Sequence, residues 1–147
     1  MIVTASFLAD AATVESGKLY VHGGGWDTIF ASEAPLTHPS MALVLIFRVE
    51  YDETLRDIST LIELMDEDNR AVELRIEGAL NVGHLPGSQR GTPTFVPQTV
   101  TCKMLKFPNF GGYQFRVSAE GLELATIPFR VAKHPVGTGL RTPGSPL

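Results

Sequence analysis

The chain has 147 residues, 44% hydrophobic and 19% charged, with 12 Lys+Arg against 16 Asp+Glu and a net charge of −4. This length suits one domain with its own core, and the apolar content excludes wholesale disorder. The lack of basic excess argues against nucleic-acid binding, and a charged share below the roughly 25% usual for soluble domains leaves surface for a partner.

Val3, Ala5 and Phe7 alternate with Thr4 and Ser6, which reads as a first strand. A secretory signal is not expected, because a basic start is missing and polar residues interrupt the apolar run. Leu19 and Val21 resume the alternation after Gly17, and Gly23, Gly24 and Gly25 break it. Trp26 to Phe30 forms a third run. Pro35 and Pro39 cannot donate to a ladder, so they mark a connection.

The longest predicted strand runs from Met41 to Tyr51. Met41, Leu43, Leu45, Phe47, Val49 and Tyr51 share one face, while Ala42, Val44 and Ile46 make the other apolar only in its first half, as in a central strand. One helical turn is expected over Thr54 to Ile58. Leu61 to Met65 and Val72 to Ile76 flank the turn formers Asp66 to Asn69, a hairpin with Glu73, Arg75 and Glu77 on its wet face.

Asn81 to Pro97 has no period and is read as a long binding or variable loop. Thr99 to Phe107 alternates again, and Pro108 to Gly112 turns the chain into Tyr113, Phe115 and Val117. After the Glu120-Gly121 turn, Ile127, Phe129 and Val131 make the last strand, where Pro128 points to an edge. A disordered, Pro/Gly-rich tail is expected over residues 134–147.

Short period-two runs without a helix-length segment predict an all-β fold over residues 1–133. The form expected is a two-sheet antiparallel β-sandwich of about eight strands, jelly-roll or Ig-like Greek key, with a closed barrel as the alternative.

The candidate chemistry is sparse. The glycine run precedes a strand and not a helix, which removes the geometry of a phosphate cradle. His22, His38, His84 and His134 lack metal-ligand spacing, so no metal or cofactor is expected. Acidic residues at Asp52-Glu53, Asp57 and Asp66 to Asp68 leave calcium open, although no calcium-loop motif is present. Cys102, the only cysteine, alternates with Val100 and Met104 and reads as a small buried hydrophobe; it points to a reducing, cytoplasmic location. The best uninterrupted apolar run, Met41 to Phe47, is far shorter than the roughly 18 residues a membrane-spanning helix needs.

The expected function is a non-catalytic cytosolic interaction or assembly module, with a protein partner or a second copy. Nucleic acid and membrane are not expected as partners. Trp26, Asp27, His84, Arg90 and Tyr113 are the expected contact residues. The alternative is a small-ligand or carbohydrate-binding sandwich in which Tyr20 joins them as an aromatic platform.

Several segments carry a resemblance: Leu8 to Ala12, Gly17 to Val21 running into Gly23 to Asp27, Pro35 with His38-Pro39, Phe107-Pro108 with Gly112 to Phe115, and Ile127 to Val131. Over about residues 1–132 this pattern resembles a family of small bacterial proteins known as a domain of unknown function, family 6941. The resemblance implies a small cytoplasmic β-sandwich and supplies no activity, cofactor or catalytic residue.

Overall fold

The computed structural model describes residues 1–135. Nine strands form in chain order: β1 (Ile2–Glu15), β2 (Lys18–Trp26), β3 (Thr28–Ala31), β4 (Leu36–Val49), β5 (Asp57–Asp66), β6 (Ala71–Asn81), β7 (Thr94–Phe107), β8 (Gly111–Ala119) and β9 (Leu122–Lys133). One sheet has the order β2-β1-β4-β7 and the other β3-β9-β8-β5-β6. The chain is thus all-β in two packed sheets that stay open rather than closing into a barrel. Its strands pair antiparallel with one exception, the parallel pair β3 and β9.

Core packing follows the period-two pattern. Met41, Leu43, Leu45, Phe47 and Val49 of β4 are buried against the facing sheet, which contributes Leu64, Phe115, Val117, Phe129 and Val131. Phe107, Tyr113, Phe115 and Phe129 form a ring cluster in which the Phe107–Tyr113 centroids lie 4.9 Å apart. Each such ring removed from water contributes about 1.5–3 kcal/mol.

The apolar second face of β4 has its own explanation. β1 leaves β4 after the Ala9–Ala42 pair, and beyond that point it pairs with β2 alone. Ala12 and Leu19 from this projecting hairpin join Ala9, Ala42 and Val44 in a second apolar cluster. The hairpin therefore covers the outward side of β4 where that side is apolar.

Several boundaries differ from the sequence expectation. The glycine run does not end β2; Gly23 and Gly25 take positive φ within it, and the register with β1 shifts beside Gly25. β4 begins at Leu36 and carries Pro39, so the expected Pro35–Pro39 connection is partly strand. The helical turn sits at Tyr51–Glu53, ahead of the expected place, and β5 begins at Asp57. β7 begins at Thr94, shortening the expected loop at its far end.

β9 is not an edge strand, because it lies between β3 and β8. β3 is only four residues long and first meets β9 at Arg130. Pro128 therefore lies where the β3 side of β9 is still unpaired, and no ladder bond on that side is lost to it. From residue 136 on, the expected tail lies outside the described residues.

Candidate functional site

Asp27 is the single residue between β2 and β3, the point where the chain crosses from one sheet to the other. Its carbonyl accepts the Arg130 N–H at 2.8 Å, and its Oδ1 accepts the Thr28 hydroxyl at 2.9 Å. Beside it lies a concavity of about 360 Å³ lined by Asp27, Glu67, Asn69, Tyr113, Gln114 and Arg130, among others. Sequence reasoning had singled out two of these residues, Asp27 and Tyr113.

The acidic turn on the rim of this concavity is committed to structure. Asp66 Oδ1 accepts the N–H groups of Asp68 and Arg70, each at 2.9 Å, which is the local reason the turn closes here. Glu67 Oε1 accepts the Gly112 N–H at 2.6 Å, and Gln114 Nε2 donates to Asn69 Oδ1 at 3.3 Å. Gly111 takes a φ of +139°, and a Cβ on Gly112 would lie 3.2 Å from the same Glu67 oxygen. Among the described residues, no group of three His, Cys, Asp or Glu side chains is placed to hold a metal ion.

Tyr113 is a core residue. Its hydroxyl donates to the Asn109 carbonyl at 2.7 Å, and its ring stacks on Phe129 at 5.9 Å. Burial pushes its phenol above the ordinary range. Trp26 is half-buried and packs against the core, with His38 edge-on at 6.4 Å. The Trp26 Nε1 is buried, with no hydrogen-bond partner among the described residues. Burial holds the His38 imidazole below its ordinary value, opposed in part by the Ser40 backbone and Asp10.

His84 and Arg90 lie at the other end of the sandwich, because β6 pairs with β5 through Asp57 and Asn81 and the chain beyond returns beside residues 51–56. The Leu55 N–H donates to the Val82 carbonyl at 2.8 Å and fixes that return. The His84 ring lies 4.3 Å from Tyr51, and its Nε2 is 2.5 Å from Thr54 Oγ1. The Thr54 hydroxyl also reaches the Tyr51 carbonyl at 2.6 Å, so it bridges this turn and the His84 ring. Arg90 is exposed in the segment between β6 and β7.

The structure thus brings Asp27 and Tyr113 to one concavity and leaves Trp26, His84 and Arg90 apart from it. Tyr20 is exposed on the projecting hairpin, so the aromatic side chains proposed for a carbohydrate platform do not share a surface.

Sequence reasoning puts an edge at Pro128 and does not show which strands end the sheets. Three of the four are blunted: β3 is short, β2 carries the glycines, and β6 has a register shift opposite Glu63 and Leu64 with charged Arg75 and Glu77 beyond it. β7 is different. Between Pro97 and Lys103 it presents Gln98, Thr99, Val100, Thr101 and Cys102, a run with no charge, proline or glycine. Among the described residues, only β4 pairs with β7. Where β7 faces β6 the sandwich gapes, leaving a cavity of about 180 Å³ lined by Leu45, Ile62, Ile76, Gly78 and Val100 among others. The uncharged run was visible in the sequence, but nothing there showed which strand would be left unpaired.

Fold and side-chain arrangement define a two-sheet β-sandwich whose acidic turn is spent on holding its own backbone and whose longest unblunted edge is β7. The chain belongs to the family of unknown function DUF6941, which it matches over residues 4–132. No curated protein matches it.

Proposed function

We propose that this protein acts by binding rather than by catalysis, as a cytosolic interaction or assembly module that associates through a sheet edge. The observation that carries this reading is the β7 edge, uncharged from Gln98 to Cys102 beside an open flank of the core. Extended edges of this kind accept a further strand, with main-chain hydrogen bonds supplying affinity. Ile2 and Phe95, 52% and 58% exposed, lie in register with Arg48 on either side and add apolar surface to the same sheet. The buried free thiol of Cys102 supports a reducing compartment. Sedimentation velocity over a hundredfold range of concentration is the test. A species that grows with concentration is expected, and a monomer throughout, with no partner recovered from native extracts, would overturn the reading.

A second reading has one observation in its favour. A groove of about 450 Å³ is lined by Pro35, Leu36, Val72, Phe107 and Pro108, with Lys106 as its cation. It fits a small apolar ligand carrying one negative charge. A fluorescent naphthalene sulfonate should bind there and lose affinity in Lys106→Glu; equal binding by both proteins would remove this reading.

A further inference from the structure

We infer that the partner on β7 is the β7 of a second copy, paired antiparallel about a two-fold axis at Val100 to make one continuous eight-stranded sheet. This rests on the assembly reading above and names its surface and register.

The argument begins with Pro97. It lies inside β7 without disturbing the register with β4, where Leu45 meets Gln98, Ile46 meets Pro97 and Phe47 meets Val96. A proline is tolerated inside a strand when its nitrogen lies on the unpaired side. Backbone groups alternate in direction along a strand, so Thr99 and Thr101 also aim their N–H and C=O groups outward, while those of Val100 point toward β4.

Thr99-Val100-Thr101 reads the same in both directions. With the axis at Val100, Thr99 of each copy lies opposite Thr101 of the other, as a hydrogen-bonded pair repeated twice. Threonine opposite threonine is a favourable cross-strand pair, and no like charges meet. Val100 then faces its own equivalent as a non-hydrogen-bonded pair, about 4.5 Å between Cα atoms. Val100 is half-buried at the open flank, so a neighbouring strand also covers core side chains that the monomer leaves in contact with water. Pro97 and the positive φ of Met104 bracket the seam and limit it to this stretch. A closed two-fold pairing occupies both edges and stops growth, as an isologous interface does.

The spacing across the axis sets the test. A Cα separation near 4.5 Å lies within the range a disulfide spans, about 4.4–6.8 Å. Val100→Cys in a Cys102→Ala background should form a covalent dimer on mild oxidation, while Phe95→Cys in that background should not. As a check that does not touch the core side of the strand, Thr99→Glu combined with Thr101→Glu places carboxylates opposite one another at both pairs. It should weaken self-association roughly tenfold, and mixing it with the corresponding double Lys variant should restore dimers. A wild-type dimer that neither cross-links at position 100 nor responds to the Glu pair would overturn the β7 seam and leave the assembly reading standing. A wild-type monomer at all concentrations would overturn the seam, and with it self-association.

Discussion

Glu67 Oε1 accepts the backbone N–H of Gly112 at 2.6 Å, joining the β5–β6 turn to the start of β8 across 45 positions of sequence. The contact needs both partners as they are. The absence of a Cβ at Gly112 lets the carboxylate reach the backbone, and a side chain at Gly111 would be forced into a φ of +139°. Glu67→Ala should lower the free energy of unfolding by about 0.5–1.5 kcal/mol, the net worth of one hydrogen bond at an exposed site where water can take the lost acceptor's place. Urea denaturation measures this, and an unchanged midpoint would show the bond to be dispensable.

Tyr113→Phe removes one hydroxyl. The ring remains against Phe107 and Phe129, and two hydrogen bonds to Asn109 are lost, the one the hydroxyl donates to the carbonyl at 2.7 Å and the one it accepts from the N–H at 3.3 Å. A loss of about 1 kcal/mol is expected in thermal unfolding, with binding at the β7 edge unaffected.

Cys102 is buried, and burial pushes its thiol up to about 11. In the folded protein at neutral pH it should react with maleimide far more slowly than the same residue in urea, because the thiolate is the nucleophile. The shift also acts on stability. Above the ordinary thiol value the unfolded chain loses a proton that the folded chain keeps, so this contribution is present below about pH 9 and is lost as pH rises toward about 11. Urea midpoints at pH 8 and pH 10.5, with Cys102→Ala as the reference, should show the wild type losing more.

His38 works in the opposite direction. Burial lowers its imidazole value, so the unfolded chain takes up a proton before the folded chain does. Stability should be full above the ordinary imidazole value of 6.5 and fall as pH drops through the lowered one. His38→Gln should flatten the change in urea midpoint between pH 7.5 and 5.5; an equal slope in both proteins would remove His38 as its source.

Much of the fold was legible because burial on one face writes a period of two into the chain. Tyr113 to Val117 shows it most plainly, with the inward residues buried, whereas in Met41 to Val49 the inward residues are joined in burial by Ala42 and Val44 of the other face. What was not legible has physical reasons. Gly23 to Gly25 reads as a break, but β1 holds it in strand on one side. Thr92 to Pro97 reads as loop because two prolines and two threonines hide the alternation that β4 imposes from Thr94 on. Pro128 does report an unpaired side, yet only for the part of β9 that short β3 fails to reach. At the site, Asp27 was recognisable from its place beside the glycines. Tyr113 was named as a contact residue although its spacing with Phe115 and Val117 had already placed it on the inward face. The β7 edge escaped notice because strand order is set by pairings between distant segments.

Amide hydrogen exchange on the full-length protein at low and high concentration tests edge association most directly. Thr99 and Thr101 carry outward N–H groups on β7, whereas the neighbouring edge β6 is blunted by its register shift and by Arg75 and Glu77. Exchange at Thr99 and Thr101 should slow as concentration rises while the outward amides of β6 remain unchanged. Exchange at Thr99 and Thr101 that is fast and independent of concentration would contradict assembly through β7.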